Sequence, residues 1–204
     1  DIRNKLFRHV SEAFKEDPVR ILRIARFSAR LPEFRIASET LELLKEMVTN
    51  GEADSLVAER VFLEMRKTLS EKKPSRFVTV LQECGLWQRF FNNFPIDRTV
   101  FSLLDKNCDL KENEKFALLT HSEDDIGKVK KFLSILKPPA DVSDTVLLWN
   151  KLKKRFDRSD AENVLKIIEE SDAIRRPQRL ISALNLARVI YGTQTQLWLT
   201  ALEN

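Results

Sequence analysis

The stretch EDPVRILRIARF (residues 16–27) places an acid, Asp17, three positions before an arginine, Arg20. An ionised Asp only accepts hydrogen bonds, whereas Arg only donates them, through a planar fork. Side by side, they complement a base edge that offers an N–H donor beside an acceptor, as cytosine and adenine do. Uracil and guanine present the reverse order and would leave buried polar groups unpaired. The pair therefore predicts selection of C and A over U and G.

Further cations follow Arg20 on the same predicted helix. On a helical wheel, Arg23, Arg26, Arg30 and the ring of Phe27 fall within an arc of roughly 120° that includes Arg20. The free N–H groups of the first turn would also stabilise a phosphate. The alternative is that Asp17 only caps the helix and the arginines are solvated. The other face is expected to pack inward: Ile21, Leu22, Ile24, Ala25, Ser28 and Ala29.

Helices must position these side chains, because apolar residues recur at helical spacing along nearly the whole chain. Asp17 is placed to cap a helix that starts at Pro18 and ends near Leu31. Ser38 would cap the next helix, and Gly51 would end it in the left-handed conformation. Residues 58–72 and 75–84 form further predicted helices, followed by shorter ones at 98–107, 112–121 and 125–136 and three more after Pro138. The sequence predicts an all-α, elongated string of small helical layers.

Composition agrees with a helical globular protein. The chain has 204 residues, of which four are glycines, and its 35 cations nearly balance its 31 anions. Its two cysteines, Cys84 and Cys108, have no metal-ligand spacing and are expected to be reduced thiols. No apolar run approaches the ~18 residues of a membrane span and no signal peptide is visible, so we expect a cytoplasmic protein without membrane contact. Because the first residue is Asp1 and not Met, the chain is expected to be a piece of a longer protein.

The stretch HVSEAFKEDPVRILRIARFSAR resembles the nucleotide-selecting segment of bacterial class II CCA-adding tRNA nucleotidyltransferases, relatives of the bacterial poly(A) polymerases. The E-D-x-x-R motif of that family is present as Glu16, Asp17 and Arg20. Similar segments follow in the family's order, including an E-R motif at Glu59 and Arg60 and the entry to a body domain at FVTVLQECGLWQRFFNNFP. The resemblance spans most of the chain and is densest in residues 1–95.

The resemblance implies a role for each matching residue. Asp17 and Arg20 would read the base of CTP and then ATP, with Glu16 orienting the pair. Arg23 is a candidate for contact with the triphosphate or ribose, and Arg26 a weaker one. Glu59 and Arg60 would brace the neck helices, or simply form a helix-start ion pair.

The resemblance also implies an organisation and a function. A nucleotide-selecting neck (1–85), a shortened body (86–139) and a tRNA-binding tail (140–204) are expected. With an N-terminal head, they would add CCA to the 3′ end of tRNA. A poly(A) polymerase of the same family and an all-α protein-interaction scaffold are the alternatives.

The chain departs from the family in two respects. The family's D-x-D carboxylates, which hold two Mg²⁺ ions in the head, have no counterpart here, so this segment alone is expected to be inactive. The acidic cluster SEDD (122–125) is expected to be a solvated turn. Some family members carry a phosphohydrolase domain built on several histidines. Because His9 and His121 are the only histidines, we expect no phosphohydrolase activity and an ordinary helix-end role for His121.

Two sets of residues remain. A basic set in the tail is expected to contact tRNA phosphates or, alternatively, to form a solvated face: Lys151, Lys153, Lys154, Arg155, Arg175, Arg176 and Arg179. The aromatic set is expected in the core: Trp87, Phe90, Phe91, Phe94, Trp149 and Trp198.

Overall fold

The computed structural model describes residues 2–106, 109–156 and 161–192. These residues form eleven α-helices and two strands of two residues each, which confirms the all-α prediction. None of the helices described is both long and apolar enough to cross a membrane. The helices are α1 (Val19–Arg30), α2 (Ser38–Thr49), α3 (Ala58–Thr68), α4 (Ser75–Glu83), α5 (Leu86–Phe91), α6 (Arg98–Lys106), α7 (Glu112–Leu119), α8 (Ile126–Leu136), α9 (Ala140–Leu152), α10 (Ala161–Glu170) and α11 (Pro177–Tyr191).

The chain divides into two compact units. The first comprises Asp1–Pro95 and Lys131–Pro138, and the second Ile96–Lys130 and Pro139–Asn204. The expected boundaries at residues 85 and 139 are not those of the compact units, because residues 86–95 and 131–138 of the expected body belong to the first unit.

In the first unit, α1 packs against α3 and α4. The face of α1 predicted to point inward is the face that is buried. The two strands, β1 (Leu6–Phe7) and β2 (Arg35–Ile36), pair in parallel and were not predicted from the sequence. Each has only two residues, too few for an alternating pattern. Their pairing joins the segment before residue 8 to the segment that leads into α2.

The first unit also contains an aromatic cluster. The ring of Phe132 lies 4.9 Å from that of Phe91 and 4.5 Å from that of Phe94, measured between centroids. Trp87 packs on Phe91 at 4.5 Å, and its indole N–H donates to the carbonyl of Phe94 across 2.7 Å. Trp87, Phe91 and Phe94 are buried, as predicted, whereas Phe90 is half-buried.

The second unit is built on α7, α9 and α11, which pack on one another. Trp149 of α9 is fully buried, as predicted. Trp198 and Cys108 lie outside the described residues, and Cys84 in the first unit is a buried free thiol. The first of the three helices expected after Pro138 begins at Ala140, directly after Pro139.

Candidate functional site

The start of α1 is held by Asp17. Its Oδ1 accepts the backbone N–H of Val19 at 3.0 Å, and its carbonyl accepts the N–H of Arg20 at 3.0 Å. The capping role considered for Asp17 is therefore present in the structure. Its second carboxylate oxygen has no hydrogen-bond partner among the described residues and stays available as an acceptor.

Arg20 is held by the segment that precedes α1. Its Nη1 donates to the carbonyl of Ala13, and its guanidinium lies 5.6 Å from the centroid of the Phe14 ring. Both partners belong to a short 3₁₀ turn, Glu12–Glu16. Glu16 ends that turn and is exposed, with no hydrogen bond or ion pair within the described residues.

Two clefts, each of about 370 Å³, open beside α1. We call the first the basic cleft, and its polar and aromatic lining comprises Arg8, His9, Ser11, Phe14, Arg20, Arg23 and Phe27. We call the second the Asp17 cleft, and its charged lining comprises Asp17, Arg23, Arg26, Arg60, Glu64 and Lys67.

Asp17 and Arg20 line different clefts, although the sequence placed them side by side. The contacts of Arg20 with Ala13 and Phe14 account for its position. Arg23 is exposed and is the one arginine that lines both clefts.

Arg26 serves as a brace between elements. Its Nε donates to Glu64 Oε2 at 2.7 Å, its Nη1 lies 3.4 Å from Glu71 Oε1, and its guanidinium lies 4.8 Å from the ring centroid of Phe27. The Arg26 side chain is only 14% exposed. Burial opposes ionisation of Glu64, but hydrogen bonds from Arg26 and Lys67 outweigh it and lower the pKa of this carboxyl.

The expected bracing residues of α3 do not form this contact. Glu59 and Arg60 are exposed, and Arg60 lines the Asp17 cleft. Sequence reasoning missed Glu64, although a signal was present. Glu64 is the one acid on the buried stripe of α3, which also contains Val61, Phe62, Met65 and Thr68.

The basic tail residues differ in exposure. Lys153 was expected on the surface but is 3% exposed. Its ammonium donates to the carbonyls of His121 and Glu123, each at 2.6 Å. These two hydrogen bonds hold the loop after α7 in place. We therefore remove Lys153 from the candidate RNA-binding residues.

Two of the remaining tail cations are also held by carboxylates. Arg155 pairs with Glu170 at 2.9 Å, and Arg179 with Asp144 at 2.8 Å. Both side chains are partly buried. A third group stays exposed: Lys151, Lys154, Arg175 and Arg176.

The acidic cluster at 122–125 also differs from expectation. Glu123 is buried, and its Oε1 accepts the N–H of Asp125 at 2.8 Å, so the turn is only partly solvated. His121 follows α7, with its ring 5.6 Å from that of Trp149. Burial and the nearby Lys153 lower the pKa of this imidazole.

A metal site was tested against the side chains present. No group of three His, Cys, Asp or Glu side chains with the arrangement of a metal site occurs in residues 2–106, 109–156 and 161–192. The described residues therefore offer no ligand set for the Mg²⁺ ions that the resemblance places in a head domain.

Comparisons with known proteins show which proteins this chain is similar to. Residues 33–109 match a family model described as "Probable RNA and SrmB- binding site of polymerase A". The match covers 77 of the 204 residues. The chain is also 36% identical to a multifunctional CCA protein of Neisseria meningitidis serogroup C, over 97% of this chain and 56% of that protein. It is 34% identical to a CCA-adding enzyme of Coxiella burnetii, over 88% of this chain and 49% of that protein.

The chain is therefore a relative of the CCA-adding enzymes and corresponds to a part of each of them. It spans about half the length of the curated relatives it matches. Two solved structures share its fold over the whole chain. One is a CCA-adding enzyme with CTP, at TM-score 0.71 and 16% identity, of which this chain covers 50%. The other is a tRNA nucleotidyltransferase with a primer tRNA and an ATP analogue, at TM-score 0.70 and 21% identity, of which it covers 63%.

Proposed function

We propose that this chain is the nucleotide-selecting and tRNA-binding part of an enzyme that adds CCA to the tRNA 3′ end from CTP and ATP. Its relatives named for CCA addition match nearly the whole chain. The structural observation that carries the proposal is the free carboxylate oxygen of Asp17, which lines a cleft beside the exposed guanidinium of Arg23. An acceptor beside a cation suits a nucleotide, which has N–H donors on its base and negative charge on its phosphates.

The proposed base readout uses Asp17 and Arg20 together. The free oxygen of Asp17 accepts the exocyclic N–H of cytosine or adenine. Arg20 then donates to the neighbouring ring nitrogen, for which its guanidinium must exchange the carbonyl of Ala13 for the base. The two residues are three apart on the chain, close enough for their side chains to meet on one face of the helix start.

The other cations have separate roles in this proposal. Arg23 and Arg60, both exposed on the Asp17 cleft, contact the phosphates or ribose. Arg26 holds α1 in place through Glu64. Lys154, Arg175 and Arg176 contact tRNA phosphates, because they are exposed, and the ion pairs of Lys154 with Asp124 and of Arg176 with Asp172 are weak in solvent. Arg155 and Arg179 contribute less, because they are partly buried in ion pairs with carboxylates.

Phosphoryl transfer requires parts beyond this chain. Enzymes of this type stabilise the transferring group with metal ions held by carboxylates, and the described residues do not offer that ligand set. We infer that a head domain supplies it and that these 204 residues alone do not add nucleotides.

The test joins this chain to the catalytic head of a relative and supplies tRNA that lacks its 3′ end. Sequential incorporation of C, C and A supports the proposal. Incorporation of A alone would indicate a poly(A) polymerase. No incorporation, with tRNA binding that does not respond to salt, would indicate a protein-interaction scaffold.

Asp17→Asn makes the selection test specific. Asn caps helices as well as Asp does, but its amide adds donors where the carboxylate only accepts. We expect misincorporation of U or G to rise about tenfold or more, with little change in tRNA affinity. Arg30→Ala is the matched control, because Arg30 is exposed on α1 and lines neither cleft. Unchanged selection in Asp17→Asn would refute the assignment.

A further inference from the structure

The basic cleft has a lining unlike that of the Asp17 cleft. Three guanidinium groups, from Arg8, Arg20 and Arg23, surround it, and no carboxylate lines it. Arg8 pairs with Glu39 at an exposed position outside this lining. Arg20 and Arg23 have no carboxylate partner among the described residues. The cleft is therefore a region of positive charge, with two aromatic rings, Phe14 and Phe27, in its wall.

His9 is fixed in this cleft by a buried hydroxyl. Thr40 is fully buried, and its Oγ1 accepts the backbone N–H of His9 at 3.1 Å. The same oxygen lies 2.9 Å from Nδ1 of the His9 ring.

This arrangement determines the tautomer of the ring. The Thr40 hydroxyl hydrogen cannot reach water, and Nδ1 of His9 is its one partner among the described residues. The hydroxyl must donate to Nδ1, because an unpaired buried donor is costly. The proton of the neutral ring therefore sits on Nε2, on the opposite side from Thr40. Nε2 has no partner within the described residues.

We propose that the basic cleft is a second nucleotide-binding site, in which His9 donates its Nε2–H to a phosphate oxygen. Arg8 and Arg23 neutralise that phosphate, and the base or ribose lies against Phe14. Guanidinium groups and an N–H donor suit a phosphate, and an aromatic wall suits a base of any sequence. The phosphate belongs either to a free nucleoside triphosphate or to the terminal nucleotides of an RNA. The proposal does not depend on base selection by Asp17.

Nuclear magnetic resonance of the imidazoles tests this directly, because the chain contains two histidines. The chain is labelled with ¹⁵N-histidine, and the His9 signals are identified by their loss in His9→Gln. We expect the free protein to show the Nε2–H tautomer at His9. Inorganic triphosphate, CTP and a short RNA ending in CC are then added separately, with His121 as the internal reference.

A shift of the His9 Nε2 signal with triphosphate and CTP alone assigns the site to free nucleotides. A shift with the RNA alone assigns it to the RNA terminus. Either result supports the proposal. An Nδ1–H tautomer in the free protein, or no shift with any of the three probes at saturation, overturns it.

Substitutions at Thr40 separate this role from a structural one. Thr40→Ser keeps the hydroxyl and should keep both the tautomer and the affinity. Thr40→Val has nearly the same volume but removes the hydroxyl, so the tautomer is no longer fixed and binding of the active probe should weaken severalfold. Equal affinity of the two variants, both folded by circular dichroism, contradicts the proposal.

Two variants that each remove one arginine charge from α1 test the role of Arg23. Arg23→Ala should weaken binding of the probe, followed at the His9 Nε2 signal and therefore in this cleft, about tenfold. Arg30→Ala removes the same charge from α1 outside the cleft and should leave binding unchanged. Equal losses in both variants would mean that only the overall charge of the helix matters, which also overturns the site.

Discussion

The Arg26 guanidinium and the Glu64 carboxylate meet across 2.7 Å between α1 and α3, with the Arg26 side chain 14% exposed and the Glu64 side chain 8% exposed. Glu71 and Lys67 extend the pair at 3.4 Å and 2.9 Å. The same helix, α1, carries Arg23 and begins two residues after Asp17, and both residues line the Asp17 cleft. The brace therefore sets the position of α1, on which the candidate site is built.

Removal of one partner should be costly. In Glu64→Gln, the largely buried Arg26 guanidinium loses its nearest negative charge and keeps only the more distant carboxylate of Glu71 as a counter-ion, and we expect a loss of about 3 kcal/mol in the free energy of unfolding at pH 7. Chemical denaturation measures this loss. Glu33→Gln, at an exposed position between α1 and α2, is the matched control and should change stability by less than about 0.5 kcal/mol.

The same pair predicts how stability depends on pH. The folded protein lowers the pKa of Glu64, so its stabilising contribution is fully present above the unfolded pKa, near 4.3. It is lost as the pH falls through the folded value. The difference in stability between wild type and Glu64→Gln should therefore shrink below about pH 4. A difference that stays constant down to pH 2 would contradict the assignment.

Asp17 should have a measurable role in stability apart from base selection. Asp17→Ala removes the acceptor of the Val19 N–H and should lower the free energy of unfolding by about 1 kcal/mol, whereas Asp17→Asn should leave it nearly unchanged. Thermal melts of the two variants measure the difference. If Asp17→Asn lost as much as Asp17→Ala, charge at the helix start and not the cap would be the cause.

Much of the fold could be predicted from residue spacing. The buried face of α1 could be predicted because its apolar residues recur at helical spacing over about three turns. The end of α2 could be predicted because Gly51 adopts the left-handed conformation, with a φ of 95°. The parallel strands could not be predicted. Two residues carry no period, and their pairing joins segments that are distant in sequence.

Residue spacing indicates candidate site residues, but it does not indicate the contacts that they make. The spacing of Asp17 and Arg20 indicates one helix face, but it cannot show that Arg20 bonds to the carbonyl of Ala13. Lys153 and Lys154 are adjacent and cannot be distinguished by residue type, yet Lys153 is buried and Lys154 is exposed. The difference depends on the loop at 121–124, whose carbonyls lie about 30 residues away along the chain.

The thiol of Cys84 should be unreactive in the folded protein. Burial raises its pKa to about 11, so at pH 8 the thiolate fraction is about two orders of magnitude below that of an exposed cysteine. In Cys108→Ser, the remaining thiol should react with a disulfide reagent at least about a hundredfold faster in denaturant than in buffer. Rapid reaction in buffer, with the protein still folded, would contradict this burial.

Lys153 and Lys154 should separate stability from RNA binding. Lys153 Nζ satisfies two carbonyls, so Lys153→Met leaves those acceptors unpaired and should lower the free energy of unfolding by about 2 kcal/mol. Lys154 is exposed, and its ion pair with Asp124 contributes little. Lys154→Ala should therefore keep stability within about 0.5 kcal/mol.

The tRNA affinities of the same two variants complete the comparison. Lys154→Ala should weaken tRNA binding and reduce the slope of log affinity against log salt by about 1. Lys153→Met, measured at a temperature where it is folded, should keep the wild-type slope, because a buried ammonium releases no counterion when RNA binds. A smaller slope in Lys153→Met and an unchanged one in Lys154→Ala would reverse the assignment and place Lys153 on the RNA-binding surface.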